Sequence, residues 1–248
     1  VFEGARLQVV NRDDAWSLRL ARGDRDCTSF GLDVPGTERE WGIVDRGAGS
    51  VLVRGDQELM PLAELPTAGM HNAANALAAS ALAAGAGIPL DVAAQGLRSY
   101  RGLPHRVQVV GNVQGIVFID DSKGTNVGAT VAALVGSACP VVLIAGGDGK
   151  GQDFTPLASA VKSRARAVVV IGRDGPRIEA ALAGTGVSVI HASTLPDAVD
   201  QGYRVARAGD AVMLSPACAS LDMFRNYVHR AEVFVDAVRA LECRERAC

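Results

Sequence analysis

Residues 117–126, VFIDDSKGTN, pass from an apolar, partly β-branched run into a polar turn that contains glycine. The same arrangement recurs in VVLIAGGDGKGQDF at 141–154 and in VMLSPACASLDMF at 212–224. Helical spacing of apolar residues follows each turn, which is typical of strand–turn–helix units in a parallel sheet. Ligands of such sheets bind beyond the carboxyl ends of the strands. We therefore expect the three turns to meet at one edge and to offer one ligand a shared set of side chains: Asp121, Lys123, Lys150, Ser215 and Ser220.

Composition narrows the class of protein. The 248 residues are 48% hydrophobic but only 4% aromatic, so the core must be built mainly from Ala, Val and Leu. The formal net charge is -2 and the arginines are scattered, which argues against a nucleic-acid partner. No apolar run reaches the ~18 residues of a membrane span. The five cysteines form no metal-binding spacing and suit reduced thiols in a cytoplasm.

The pattern of elements predicts two domains, 1–102 and 103–248, with a break at the sequence RGLP. The opening at Val1 reads as the middle of a domain, so we expect a further amino-terminal portion. Short alternating runs at 27–62 favour antiparallel hairpins, and an Ala-rich helix at 70–87 precedes a second helix at 89–100.

The second domain is predicted to be α/β, a Rossmann-like, doubly wound and mostly parallel sheet. It opens with two strands joined at Gly111 and Asn112. Strand and helix patterns then alternate to the end, with helices that begin near residues 126, 154, 174, 194 and 222.

The turn GGDGKG at 146–151 is not a phosphate loop, because Ile144 and Gly151 stand where that motif needs glycine and a hydroxyl residue. Its glycines supply positive φ, and Lys150 is either solvated or held for a carboxylate or phosphate. In the turn at 121–126, Thr125 or Asn126 fits a helix cap, and the helix end suits an anion.

The turn at 215–222 offers hydroxyl groups rather than a nucleophile. Cys218 has no neighbouring base and is expected to be a small buried residue. Ser220 lacks a nucleophile elbow, so hydrogen bonding to a ligand is its better role, and with Asp222 it resembles a cap of the last helix.

Five segments, in this order, resemble the Mur ligase family: HNAANAL at 71–77, GLPHR at 102–106, DDSKGTN at 120–126, GGDGKGQDF at 146–154 and LSPACASLDMF at 214–224. The last two look particular to the family members that add D-glutamate. The resemblance implies that 1–102 is the carboxy-terminal part of a central ATP-binding domain. It implies that 103–248 is a Rossmann-like domain that binds the incoming amino acid.

The resemblance also implies an activity. ATP, with Mg²⁺, phosphorylates the carboxylate of UDP-N-acetylmuramoyl-L-alanine, and the amine of D-glutamate attacks the acyl phosphate to give an amide. The expected setting is peptidoglycan precursor synthesis by a cytoplasmic monomer that needs neither nucleic acid nor membrane. The family's phosphate loop and main Mg²⁺ ligands fall outside this sequence. We therefore expect no catalytic residue and no metal ligand here, and no activity from this chain alone.

Motif matches imply the ligand contacts. The residues expected to hold D-glutamate are Thr125, Lys150, Ser220, Leu221 and Tyr227, the last standing where the family usually has Phe. The residues expected to hold ATP are Asn72, Asn75, His105, Arg106, Asp121 and Lys123. Among these, the asparagines would contact adenine, Asp121 the ribose and Arg106 the phosphates.

Two alternatives stay open. The chain could be a non-catalytic fragment that binds an acidic ligand or a nucleotide, or another Mur-type or folylpolyglutamate-type ligase. A nicotinamide-dependent dehydrogenase is disfavoured, because no G-x-G-x-x-G follows a strand.

Overall fold

A computed structural model describes residues 4–5, 7–67 and 69–246. The chain divides into two compact units, one ending at Gly102 and the other starting at Leu103. In the described part of the chain, no helix combines the length and the apolar character that crossing a membrane requires.

Unit 1 is a five-stranded sheet with two longer helices. Its elements are β1 (Leu7–Asn11), α1 (Ala15–Arg19), β2 (Asp26–Phe30), β3 (Trp41–Asp45), β4 (Ser50–Arg54), β5 (Gln57–Pro61), a 3₁₀ turn (Leu62–Glu64), α2 (Met70–Gly85) and α3 (Leu90–Ser99). The strands lie in the order β1-β2-β3-β4-β5.

The predicted hairpins are correct for β3, β4 and β5, which pair antiparallel, but wrong for β2. β2 runs parallel to both β1 and β3. The α1 segment carries the chain back across the sheet before β2 starts, and a parallel pair requires such a crossover. Alternation of polar and apolar residues reports a half-buried strand without reporting the direction of its neighbour.

The core of unit 1 packs large side chains of the sheet against small ones of α2. Trp41, Leu52 and Met60 are each at most 2% exposed, and Ala73 and Leu77 are fully buried. Alanines let the helix lie close to the sheet, so few aromatic residues are needed.

Unit 2 is a six-stranded sheet between two layers of helices. Its elements are β6 (Gln108–Val113), β7 (Ile116–Asp120), α4 (Val127–Val135), β8 (Val141–Gly146), α5 (Leu157–Arg164), β9 (Ala165–Ile171), α6 (Gly175–Ala181), β10 (Ser188–His191), α7 (Leu195–Val205), β11 (Ala211–Leu214) and α8 (Tyr227–Arg246). The strand order is β10-β9-β8-β11-β7-β6, and all pairs are parallel except β6 with β7.

Alternate residues of the buried strands serve the two faces of this sheet. Leu143 packs in the cluster that holds residues of α4, α5 and α6, whereas Ile144 packs in the cluster that holds residues of α7 and α8. Both faces are covered, which explains the continuous apolar run of β8. The prediction of a doubly wound, mostly parallel α/β fold is confirmed.

Two local predictions in unit 2 are wrong. The β6–β7 turn lies at Gln114 and Gly115 rather than at Gly111 and Asn112. The two turn residues take φ of 51° and 80°, as a two-residue type I′ hairpin turn requires. The last helix begins at Tyr227 and not near residue 222.

Candidate functional site

The candidate site lies where β7, β11 and β8 end. These three parallel strands are neighbours in the sheet, so their carboxyl ends share one edge. The segments that follow them are here named the β7 loop (residues 121–126), the β11 loop (215–226) and the β8 loop (147–156). The predicted gathering of the three turns at one edge is confirmed.

Hydrogen bonds join the three loops directly. Ala217 N donates to Gly124 O at 3.0 Å, which links the β11 and β7 loops. Asp148 and Ala219 exchange two backbone hydrogen bonds, of 2.9 and 2.8 Å, which link the β8 and β11 loops. Gln152 completes the set, since its amide donates to Ala217 O at 2.7 Å and accepts from Val127 N at 3.1 Å.

Three of the residues predicted to hold D-glutamate lie within two positions in sequence of these hydrogen-bonded residues. Thr125 is next to Gly124, Ser220 is next to Ala219, and Lys150 lies two residues beyond Asp148. Their loops are therefore held as one structure. Within the residues that the structure describes, the Thr125 and Ser220 hydroxyls and the Lys150 ammonium have no protein partner. Unpaired donors of this kind suit an anionic ligand.

The β8 loop fixes the backbone of Lys150. Lys150 is exposed and has φ of 50°, a left-handed conformation that is uncommon outside glycine. Asp148 holds it there, because its Oδ1 accepts from Lys150 N at 2.9 Å and also pairs with Arg173. Gly149 N donates to Asp174 Oδ2 at 2.6 Å. The side chain therefore leaves a rigid turn.

Tyr227, Lys123 and His105 form a second group at this edge. The Lys123 ammonium lies 4.0 Å from the centre of the Tyr227 ring, a cation–π contact. His105 meets the same ring edge-on, with 6.1 Å between ring centres. Tyr227, predicted to contact D-glutamate, thus lies beside two residues predicted to contact ATP. Leu221 is 65% exposed on the β11 loop.

His105 is held by a buried carboxylate. Its Nδ1 lies 2.7 Å from Asp120 Oδ2, and Asp120 is fully buried. The other oxygen, Asp120 Oδ1, accepts from Ser122 N at 2.9 Å and from Ser122 Oγ at 2.6 Å. These bonds orient the His105 ring and tie the start of unit 2 to the β7 loop.

Asp121 is almost buried, at 4% exposure. Its Oδ2 accepts from Ser215 Oγ at 2.6 Å and its Oδ1 from Val107 N at 3.3 Å. Burial raises the pKa of Asp121 to about 6, against the lowering effect of the Ser215 hydrogen bond. Ser215 is fully buried and lies 3.0 Å from Thr130 Oγ1. The expectation that Ser215 faces a ligand is therefore wrong.

The buried thiol at this edge is not an activated nucleophile. Burial raises the pKa of the Cys218 thiol to about 12, so that it stays protonated and inert, as the sequence predicts. Among the described residues no group of three or more His, Cys, Asp or Glu side chains could hold a metal ion. What the edge offers is a set of lysine cations and hydroxyls carried by loops that are hydrogen-bonded to one another.

The remaining residues predicted to contact ATP are spread over both units. Arg106 is exposed near the start of unit 2. Asn72 and Asn75 lie on α2 of unit 1, which begins after Gly69, so neither asparagine occupies the cap position. Amide and guanidinium groups are suitable partners for a base edge and for phosphates.

Of the two helix caps that the sequence predicts, the one at Asn126 is confirmed and the one at Asp222 is wrong. Asn126 caps α4 as predicted, through Ala129 N at 2.9 Å. Asp222 does not cap α8, because its Oδ2 accepts from Arg173 N at 2.9 Å. Asn226 has that role and accepts from His229 N at 2.9 Å.

Sequence reasoning missed the residues that connect the loops. Asp148 and Gln152 lie in the turn at 146–154, where the glycines and Lys150 carry the stronger sequence signal. Arg230 of α8 is fully buried and was not singled out. Its signal was its place in the apolar stripe of the helix, four residues before Phe234 and eight before Val238.

The fold and the site define the class of protein. It is a doubly wound α/β domain whose sheet edge carries lysines and hydroxyls that suit an anionic ligand. Residues 105–218 match the family described as Mur ligase, glutamate ligase domain. Over these residues the chain is similar to Mur ligases.

Curated relatives carry a more specific name. The UDP-N-acetylmuramoylalanine–D-glutamate ligase of Aromatoleum aromaticum is 57% identical over 246 residues, which cover 97% of this chain and 52% of the relative. The ligase of the same name from Methylobacillus flagellatus is 55% identical over 245 residues, which cover 99% of this chain and 54% of the relative. The chain thus spans about half the length of these relatives.

Solved structures agree on the fold. UDP-N-acetylmuramate–alanine ligase of Thermotoga maritima superposes with a TM-score of 0.63 at 20% identity, covering 94% of this chain and 52% of that one. Folylpolyglutamate synthase of Mycobacterium tuberculosis gives 0.67 at 16% identity, covering 92% and 55%.

Proposed function

We propose that this chain is the amino-acid-binding part of an ATP-dependent ligase that adds D-glutamate to UDP-N-acetylmuramoyl-L-alanine. The observation that carries the proposal is the edge of unit 2, where three hydrogen-bonded loops present the Thr125 and Ser220 hydroxyls and the Lys150 ammonium, none of which has a partner among the described residues. Relatives above 50% identity that carry this activity in their name support it.

D-Glutamate suits this edge chemically. It brings two carboxylates and one amine, so its site needs fixed cations and hydroxyls for the acids and must leave the amine free. Lys150 supplies a charge from a rigid turn, and Thr125 and Ser220 supply hydroxyls from the two other loops. Leu221 and Tyr227 would contact the ligand from the β11 loop and the start of α8.

The role of the chain would be positioning. Holding the amine of D-glutamate against an acyl phosphate replaces a bimolecular encounter by one with fixed geometry, which lowers the barrier without an acid or base in this unit. Residues 1–102 would be the end of an ATP-binding domain. Asn72, Asn75, His105, Arg106, Asp121 and Lys123 are the proposed ATP contacts, and Mg²⁺ would be bound outside this sequence.

Asp121 sets a condition on this assignment. Both of its oxygens already accept hydrogen bonds from the protein, so a ribose hydroxyl must use a remaining lone pair.

The proposed setting is the cytoplasm, where nucleotide substrates are made, and the proposed state is a monomer.

A folylpolyglutamate-type ligase is the second candidate. The structural similarity to such an enzyme, at 16% identity, supports a shared fold and no shared substrate. Substrate preference separates the two. In a full-length ligase that contains this sequence, we expect phosphate release that needs ATP, UDP-N-acetylmuramoyl-L-alanine and D-glutamate together. Equal turnover with L-glutamate, or turnover with a folate in place of the muramoyl substrate, contradicts the proposal.

A further inference from the structure

Arg230 is buried without a direct acidic partner. It has 0% exposure, although arginine is rarely buried unless it is paired. Among the described residues no carboxylate lies within ion-pair distance of it, and its Nε has no hydrogen-bond partner. Such an arrangement costs desolvation energy, so a specific use of the guanidinium is expected.

The guanidinium joins two of the three loops. Arg230 Nη2 donates to Ser122 O of the β7 loop at 2.8 Å, and Nη1 donates to Cys218 O of the β11 loop at 3.1 Å. One planar group therefore contacts both loops. The acceptors lie three residues before Thr125 and two before Ser220.

The surroundings keep the group charged. Burial lowers the pKa of Arg230 to about 10, and nearby negative groups, Asp222, Asp120 and Asp121 among them, act against that lowering. The cation thus persists at neutral pH, and charge-assisted hydrogen bonds are stronger than neutral ones.

We infer that Arg230 is a positioning residue, which fixes the separation of the β7 and β11 loops so that Thr125 and Ser220 reach one amino-acid ligand. The inference rests on the proposed function. Arg230 itself touches no substrate, because it is enclosed by protein. Its effect passes through the two carbonyl groups that it holds.

Geometry, rather than charge alone, carries this role. A guanidinium donates in a fixed fork to two separate carbonyls, whereas a lysine ammonium is a point charge on a flexible stem. Arg230→Lys keeps a cation near Asp120 and Asp121 but cannot hold both carbonyls in the same way. Arg230→Gln removes the cation as well.

The first test needs no ligand. In the 248-residue chain, hydrogen exchange at the amide of Ala217, which bonds to Gly124 O, reports the junction of the two loops. We expect this amide to exchange at least about tenfold faster in Arg230→Lys and Arg230→Gln, the effect of losing a hydrogen bond to a charged group. Amides of β8 and β9 should keep their protection.

Two matched variants on the same helix are the controls. Phe234→Leu loosens the core under α8 and leaves both carbonyl contacts of Arg230 in place, and Arg239→Gln removes an exposed arginine. Neither should change the exchange of Ala217 relative to the sheet. Equal acceleration in Phe234→Leu would assign Arg230 a general structural role and overturn the inference.

The second test is calorimetric titration with D-glutamate. We expect affinity at least about tenfold weaker in both Arg230 variants, and unchanged in Arg239→Gln. Wild-type affinity in a folded Arg230→Lys chain overturns the inference. If the wild-type chain itself fails to bind D-glutamate, the proposed function loses its support, while the exchange of Ala217 still decides whether Arg230 holds the loops.

Discussion

Asp148 and Ala219 pair through two backbone hydrogen bonds, of 2.9 and 2.8 Å, although 70 positions of sequence lie between them and each belongs to a different loop. Lys150 lies two residues after Asp148, and Ser220 lies one residue after Ala219. This pair of hydrogen bonds therefore joins the two loops that carry the cation and the hydroxyl of the proposed site. The site therefore depends on the order of the strands in the sheet, because that order places β8 beside β11.

Lys150→Ala tests the cation. The variant should bind D-glutamate about 10- to 100-fold more weakly, because a hydrogen bond to a charged group contributes about 1.5–3 kcal/mol. Titration calorimetry on the chain measures the change. Lys162→Ala, an exposed lysine on α5, is the control and should bind normally. Unchanged affinity in Lys150→Ala removes this residue from the site.

Tyr227 tests the aromatic contact. Tyr227→Phe keeps the ring that meets Lys123 and His105, so D-glutamate affinity should stay within about twofold of the wild type. Tyr227→Ala removes a cation–π contact of about 0.5–2 kcal/mol and should weaken binding several-fold. A large loss in Tyr227→Phe would show that the hydroxyl, rather than the ring, is needed.

Asp121 predicts a pH dependence of stability. Its pKa is raised by burial from 3.8 to about 6, so the folded state holds the proton more tightly than the unfolded state. That contribution is complete below pH 3.8 and is lost as pH rises through 6. Asp121→Asn should therefore gain stability relative to the wild type, by up to about 3 kcal/mol, between pH 4 and pH 7.

Denaturant unfolding of both proteins at several pH values measures this difference, and titration of the Asp121 carboxyl by NMR measures the pKa directly. A midpoint near 4, with parallel stability curves for the two proteins, contradicts the prediction.

Cys218 should resist alkylation. It is buried and burial raises the pKa of its thiol to about 12, whereas Cys27 and Cys243 are exposed. Mass spectrometry after brief iodoacetamide treatment at pH 8 should find label on Cys27 and Cys243 before it finds label on Cys218. Label on Cys218 at the same rate in the native chain would mean that the β11 loop opens readily.

The sequence predicted those parts of unit 2 that depend on local patterns. Runs such as 141–146 are buried on both faces and read as strands, and Asn126 caps a helix through a bond three residues away. Three-dimensional pairing was less accessible. The direction of β2 depends on which strand lies beside it, and alternation carries no information about that.

The false cap at Asp222 shows the same limit. Ser220 and Asp222 are residue types that often start a helix. Asp222 instead accepts a hydrogen bond from Arg173 N of a loop distant in sequence, and the helix begins only at Tyr227. The sequence does not predict the role of Arg230, because an arginine on a helix is ordinarily solvated. Only the structure shows that its guanidinium holds two carbonyls.

The central claim is that the edge formed by the three loops holds D-glutamate. Calorimetric titration of the 248-residue chain with D-glutamate, and separately with L-glutamate, tests it most directly. We predict saturable binding that prefers the D-isomer and is weakened in Lys150→Ala. Equal binding of the two isomers, or no binding to a chain shown to be folded by its circular dichroism and cooperative unfolding, would contradict it.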